Sequence, residues 1–237
     1  MFLPLTEENI STLFIDGSVI MLLLGVLAET GIMRKRGRAD DTLFFMLIIL
    51  NILMAVFDTI TYLADEKSFP GARIFNMAGV TAFYIDFILM FMVWYHYCLV
   101  RFAYRGEAVS KSHRVFFIPG LVTEALIIIN IFTGWIFSVD ENNIYHRGIL
   151  FIPMYMVIAY FTIICFISII RYRTNSVKSN LIPIWVYVLP FVMGVIIPFV
   201  FGGIGITAPG CAMSIVFTHL GSASELVNYD EKGGPKA

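Results

Sequence analysis

No lysine or arginine falls within any of the seven long apolar runs of this chain, although it has 237 residues and 16 Lys and Arg. That gap excludes covalent retinal, which needs a lysine amine inside the bundle to form a Schiff base. Charged residues of either sign are scarce at 14%, against about 25% in soluble domains. Net charge is −1, which gives no global field for nucleic acid. The three cysteines (Cys98, Cys165 and Cys211) and four histidines are scattered without metal-ligand spacing. Metalloprotease, nucleophile-elbow and phosphate-loop motifs are all lacking, so the chain reads as a non-enzyme without a cofactor. The start, MFLPLTEENIST, has no basic n-region, so the first run is expected to do the targeting.

What the chain has in abundance is hydrocarbon: 59% of its residues are hydrophobic. The apolar runs cover 11–33, 42–64, 74–100, 115–137, 149–170, 181–203 and 207–227. Each is close to the roughly 20 residues that a helix needs to cross a 30 Å hydrocarbon core. The expected fold is an all-α integral membrane protein. Residues 1–228 form a seven-transmembrane helix bundle and 229–237 a short cytoplasmic tail. Thirteen Lys and Arg lie in the 34–41, 101–114 and 171–180 segments and the tail, but only Lys67, Arg73 and Arg147 lie on the other side. The positive-inside rule therefore puts the N-terminus outside and the C-terminus in the cytoplasm of a cell (plasma) membrane protein.

Carboxylates inside the runs are the informative polar groups, because a charge at the bilayer centre costs several kcal/mol. Asn51, Ala55, Asp58 and Tyr62 share a helical face, as do Gly79, Phe83, Asp86, Met90 and Tyr97. Glu124, Ile131 and Trp135 align on the fourth run, with Asn130 close by. Asp58, Tyr62, Asp86 and Glu124 are the candidate ligand-binding residues, lining a cavity open to the outside. The other reading of the same groups is protonated carboxyls that donate hydrogen bonds between helices. Asp16 lies nearer the outer edge of the first run, and Glu29 at the inner end is expected to reach Arg34 or the headgroups. Pro190 and Pro198 are expected to kink the sixth run, and GGIGITAPG, which lacks a lysine, to form a turn.

The segment FTGWIFSVDENNIYHRG, residues 132–148, joins the fourth and fifth runs. Asp140–Asn143 has turn chemistry, Trp135 and Tyr145 suit an interfacial aromatic belt, and Arg147 is a partner for Asp140 or Glu141. This segment resembles the outer loop of the seven-span input region that precedes many bacterial membrane diguanylate cyclases and related signalling proteins. Trp135, Asp140, Glu141, Asn142, Asn143, Tyr145, His146, Arg147 and Gly148 match the run in that family. The basic first inner loop and NILMAVFDTITYLAD extend the likeness. In that family a catalytic domain follows the last span; here SASELVNYDEKGGPKA follows, without the Gly-Gly-Asp-Glu-Phe signature. The resemblance implies a sensory receptor module in signal transduction, its ligand a small molecule or lipid arriving from outside or through the membrane, and a homodimer. A proton- or ion-linked small-molecule transporter, using the midplane carboxylates, is the alternative.

Overall fold

The computed structural model describes residues 7–33, 39–103, 111–173, 192–197, 199–200 and 206–231. Six long helices run in chain order: α1 (Glu7–Met33), α2 (Ala39–Ala64), α3 (Ala72–Cys98), α4 (Ile118–Thr133), α5 (Phe151–Arg173) and α6 (Thr207–Glu231). Between α4 and α5 lies a small antiparallel hairpin, β1 (Phe137–Val139) and β2 (Tyr145–Arg147), in which Phe137 faces Arg147 and Val139 faces Tyr145. Residues 192–197 of the sixth apolar run are helical, while Pro183, Pro190 and Pro198 lie outside the described residues, as do residues 202–205 of GGIGITAPG. The rest of that segment, expected as a turn, instead opens α6 at Thr207–Gly210, where Pro209 sits in the first helical turn and gives up no helix hydrogen bond.

The helices form because hydrocarbon leaves a backbone no partner but itself. Five of them supply segments long and apolar enough to cross a membrane, α3 together with the π-helical turn Leu99–Ala103 after it and α4 together with the 3-10 helix Lys111–Phe117 before it: Asn9–Thr30, Asp40–Ala64, Ala72–Arg101, His113–Thr133 and Phe151–Ser168. The chain is thus an all-α, multi-pass membrane protein. Of α3's most apolar stretch 67% is buried, against 22% for the fourth segment, so α3 is the central post. Its most extensive partner is α2, and it also packs on α4 and α5. A Cβ at Gly79 would sit 3.1 Å from both Ile60 and Thr61, so this glycine lets α2 and α3 approach closely. The core is dense in aromatics, with Phe87 and Phe91 edge to face at 5.2 Å. Phe14, Ile74, Phe132 and Ile149 are 76%, 74%, 87% and 81% exposed, an arrangement suited to lipid rather than water.

Several helix ends depart from the sequence reading. The fourth run continues as apolar residues to Phe137, but its helix ends at Thr133, where Gly134 adopts the left-handed conformation (φ 66°). Glycine takes that backbone shape without steric cost. Trp135 is therefore off the helix, and the buried stripe of α4 is Gly120, Thr123, Ile127 and Asn130. Ile131, expected inside, is 47% exposed. Some cations lie within helix ends rather than loops. Arg101, on the π-helical turn Leu99–Ala103 that follows α3, reaches Asp40 Oδ2 at 3.1 Å.

Where the hairpin rejoins the bundle, Gly148 N donates to Ile136 O at 2.7 Å and Leu150 N to Trp135 O at 2.8 Å. A Cβ on Gly148 would collide with the backbone carbonyl of Trp135, whereas one on Gly17 of α1 would meet nothing within 4 Å. Gly148→Ala is expected to destabilise the protein by about 1–3 kcal/mol, and Gly17→Ala to change stability by no more than ~1 kcal/mol. Thermal melts of the two variants in detergent test the difference; equal melting points would refute the tight approach.

Candidate functional site: a capped bundle with paired interior carboxylates

The 132–148 segment is a cap, built by asparagines. Asn130 projects from the last turn of α4 (0% exposed), donates to Phe137 O at 2.9 Å and accepts from Ile136 N at 2.6 Å. It thereby takes over the backbone bonding that the helix gives up at Gly134. Asp140 makes the turn: its Oδ1 accepts from the amides of Asn142 and Ile144, each at 2.9 Å. Its Oδ2 lies 2.9 Å from His146 Nε2. The His146 contact first, and then the Ile144 amide, hold the Asp140 carboxyl below the usual carboxylate range. Asn142 and Glu141 are exposed at the tip.

Asn143 is the keystone. Its φ of 63° is one that asparagine tolerates better than other non-glycine residues. Its side chain is buried in the turn between α2 and α3, donating to Ala64 O at 2.5 Å and to Lys67 O at 3.1 Å. Its carbonyl accepts from Glu66 N at 3.0 Å. Asn76 of α3, 0% exposed, donates both to Asn143 Oδ1 at 3.1 Å and to Asp65 Oδ1 at 2.8 Å. Tyr145 N donates to that same Asp65 oxygen at 3.2 Å. One knot therefore ties β2, the α2–α3 turn and α3. Arg73 Nε adds a bond to Val139 O at 3.2 Å.

Beneath the knot the cap enters the core. Tyr145 and Tyr84 of α3 share a hydrogen bond at 2.7 Å between their hydroxyls. Burial pushes the Tyr145 phenol up. Arg147 does not take the expected place beside Asp140, which His146 occupies. Its guanidinium lies over the Phe151 ring at 4.6 Å, and Nη1 donates to Phe199 O at 3.4 Å. The cap thus touches the sixth run as well as α2, α3 and α4. Trp135, 49% exposed, stands at the rim.

The four candidate ligand-binding residues fall into different neighbourhoods. Asp58 is buried within electrostatic reach of Asp16 on α1 and of Tyr155 on α5. Thr59 Oγ1 donates to Asp16 Oδ2 at 2.8 Å, while Asp16 Oδ1 is buried with no partner among the described residues. Tyr62 is half-buried, and its carbonyl accepts from Asn9 at 2.7 Å, joining the start of α1 to the end of α2. Asp86 and Glu124 form a second pair within electrostatic reach of each other, and Asp86 is also within reach of Cys211 on α6. Asp86 Oδ2 and Glu124 Oε1 are buried without hydrogen-bond partners among the described residues. An orphaned buried polar atom costs about 1–3 kcal/mol, so both pairs are places where a proton, water or ligand group would be stabilising. Among the described residues no three His, Cys, Asp or Glu side chains gather as a metal would require.

The sequence reading missed Asn76, Asp65, Tyr84 and Tyr155. A polar residue one turn inside a membrane helix, as Asn76 is, was the available signal. Glu29, 61% exposed, lies 3.0 Å from His219 Nε2 on α6, at an angle that makes no hydrogen bond. Arg34, the partner expected for it, lies outside the described residues. Asn51 uses its amide to donate to Ala208 O at 3.2 Å and to accept from Ala212 N at 2.7 Å, seating α6 on α2. One cavity, of 330 Å³, is apolar and lies between α5 and residues 192–199. Of the residues discussed so far only Tyr155 and Phe199 line it. No family model, curated protein or solved structure matches this chain.

The Asn143 knot sets a ranked expectation. Asn143→Gly loses the side-chain bonds but keeps the backbone at ease, and Asn143→Ala loses the bonds and strains φ. Stability in detergent is expected to fall in the order wild type, Gly, Ala, by about 1–3 kcal/mol for the lost bonds and ~1 kcal/mol more for the strain. An alanine variant as stable as wild type would show that the knot does not hold the cap.

Proposed function

We propose that the chain is a transmembrane sensory module. In this reading it crosses the plasma membrane seven times, with its N-terminus outside and its C-terminus in the cytoplasm. An extracellular or membrane-borne ligand acts at the capped end, and a change in helix packing passes through α6 to a cytoplasmic output. The likeness of residues 132–148 to the input region of bacterial diguanylate cyclases supports this, and so does the charge asymmetry of the segments between the runs. Outputs of that family act as pairs, so the module works as a homodimer. The chain itself carries no catalytic signature and acts as a receptor rather than an enzyme.

The observation that carries the reading is a continuous set of contacts from cap to last helix. Arg147 of the hairpin holds Phe199. On the same run, Gly194 packs against the start of α6, where an added Cβ would lie 3.0 Å from Gly210 Cα and 3.2 Å from the carbonyls of Ile206 and Thr207. From there α6 leans on α1 and α2, held by Asn51 and the Glu29–His219 contact. Coupling across a bundle needs two arrangements that both sites bias. A glycine-to-glycine approach, without side chains interlocked at that point, is a seam along which α6 can shift. The Asp86–Glu124 pair, in which one buried oxygen of each carboxyl has no hydrogen-bond partner among the described residues, favours a second reading, a proton-linked carrier, because intramembrane carboxylates are what proton relays use.

Two measurements separate these readings. Hydrogen exchange on the reconstituted protein is expected to show Arg147→Ala raising exchange in α6 over 207–215 as well as in the hairpin. A rise confined to the hairpin would break the proposed route. Proton uptake into liposomes under an imposed pH gradient is expected to equal that of empty liposomes, and uptake that Asp86→Asn abolishes would establish the carrier instead.

A further inference from the structure

The apolar groove has a length and a mouth that name an occupant. It is lined on one side by Ile152, Tyr155, Ala159 and Ile163 of α5, and on the other by Val192, Val195 and Phe199. From Ile152 to Ile163 the helix rises about 16 Å at 1.5 Å per residue, close to half of a ~30 Å hydrocarbon core. The groove is thus one leaflet deep, and it starts at the cap. Its wall includes exposed apolar side chains such as Ile152 (60%) and Met156 (67%), as a surface open to lipid would.

A cation stands at the mouth. Phe199 and Tyr155, the uppermost aromatic residues of the groove, pack at 5.0 Å, and Phe199 stacks on Phe151 at an interplanar angle of 2°. Arg147 lies over that same Phe151 ring and donates to Phe199 O. It is exposed and lies four residues before Phe151, where the fifth apolar segment begins. A guanidinium presents a planar fork of donors that matches phosphate geometry.

We infer that this groove holds one acyl chain of an anionic phospholipid whose phosphate is bound by Arg147. The inference deepens the proposed reading by naming a membrane-borne ligand class, and rests on it for the leaflet. Binding itself is read without any signalling response, so failure of one does not entail failure of the other.

The test is native mass spectrometry of the full chain, purified in detergent and supplied with phosphatidylglycerol or phosphatidylcholine of identical chains. Wild type is expected to retain one phosphatidylglycerol with at least a fivefold preference. Arg147→Gln is expected to abolish the preference, and Arg147→Lys, which keeps the charge, to retain part of it. Ala159→Phe, which fills the groove from its lipid side without touching the cap, is expected to lower retention of both lipids at least fivefold. Equal retention of the two lipids by wild type would overturn the inference, as would undiminished retention by Ala159→Phe. A lipid-free dimer that Ala159→Phe dissociates would also overturn it, in favour of a second copy of the chain in the groove.

Discussion

In a bilayer there is no water to satisfy a backbone group left unpaired, and the places where this chain must stop being helical organise the rest of it. At the end of α4 the helix gives way to a hairpin, and Asn130 receives the amide and supplies the donor that the interrupted ladder lacks. At the turn from α2 to α3, Asn143 reaches across from the hairpin to Ala64 and Lys67. Asn76 and Asp65 complete that knot. Most of the motif is thereby accounted for as construction. Gly148 allows a backbone crossing, Asp140 shapes a turn, Tyr145 meets Tyr84, and Arg147 grips the sixth run.

The sequence showed the spans because a bilayer imposes a length and a composition that a single chain records locally. The five apolar helices recovered by the structure follow the runs to within a few residues at most ends. The fourth run is the instructive exception. Phe132–Phe137 is apolar throughout apart from Thr133 and Gly134, and hydropathy alone cannot distinguish a helix that continues from a strand tucked under a cap. Gly134 was the one local signal of the change. Lateral relations were much less legible. Asp58 stands beside Asp16, Asp86 beside Glu124, and Glu29 beside His219. These pairings depend on how helices rotate against one another, which no spacing along one chain encodes. Arg147 illustrates the same limit: Asp140 is near it in sequence, but strand register put His146 next to Asp140.

The two ends of the bundle are built differently. The capped end is dense with hydrogen bonds that join the hairpin, α2 and α3, and it reaches the sixth run through Arg147. At the other end the buried Asp40 meets Arg101, and Glu29 lies near His219. Between them, α6 is seated by Asn51 and by the approach of Gly194 to Gly210. A hydrogen-bonded cap joined through the sixth run to the last helix suits the proposed device, in which an event at one face is read at the other. The interior carboxylates would bias the balance between packings, because an uncompensated buried charge is expensive and whatever relieves it favours one arrangement.

All of this depends on the cap and the end of α6 lying on opposite sides of a bilayer. The most direct measurement is labelling of intact cells by a membrane-impermeant thiol reagent, using single cysteines introduced at Ser138 of the hairpin and at Asn228 near the end of α6. The account predicts that Ser138→Cys is labelled from outside and that Asn228→Cys is labelled only after the membrane is opened. Labelling of both positions from the same side would contradict it.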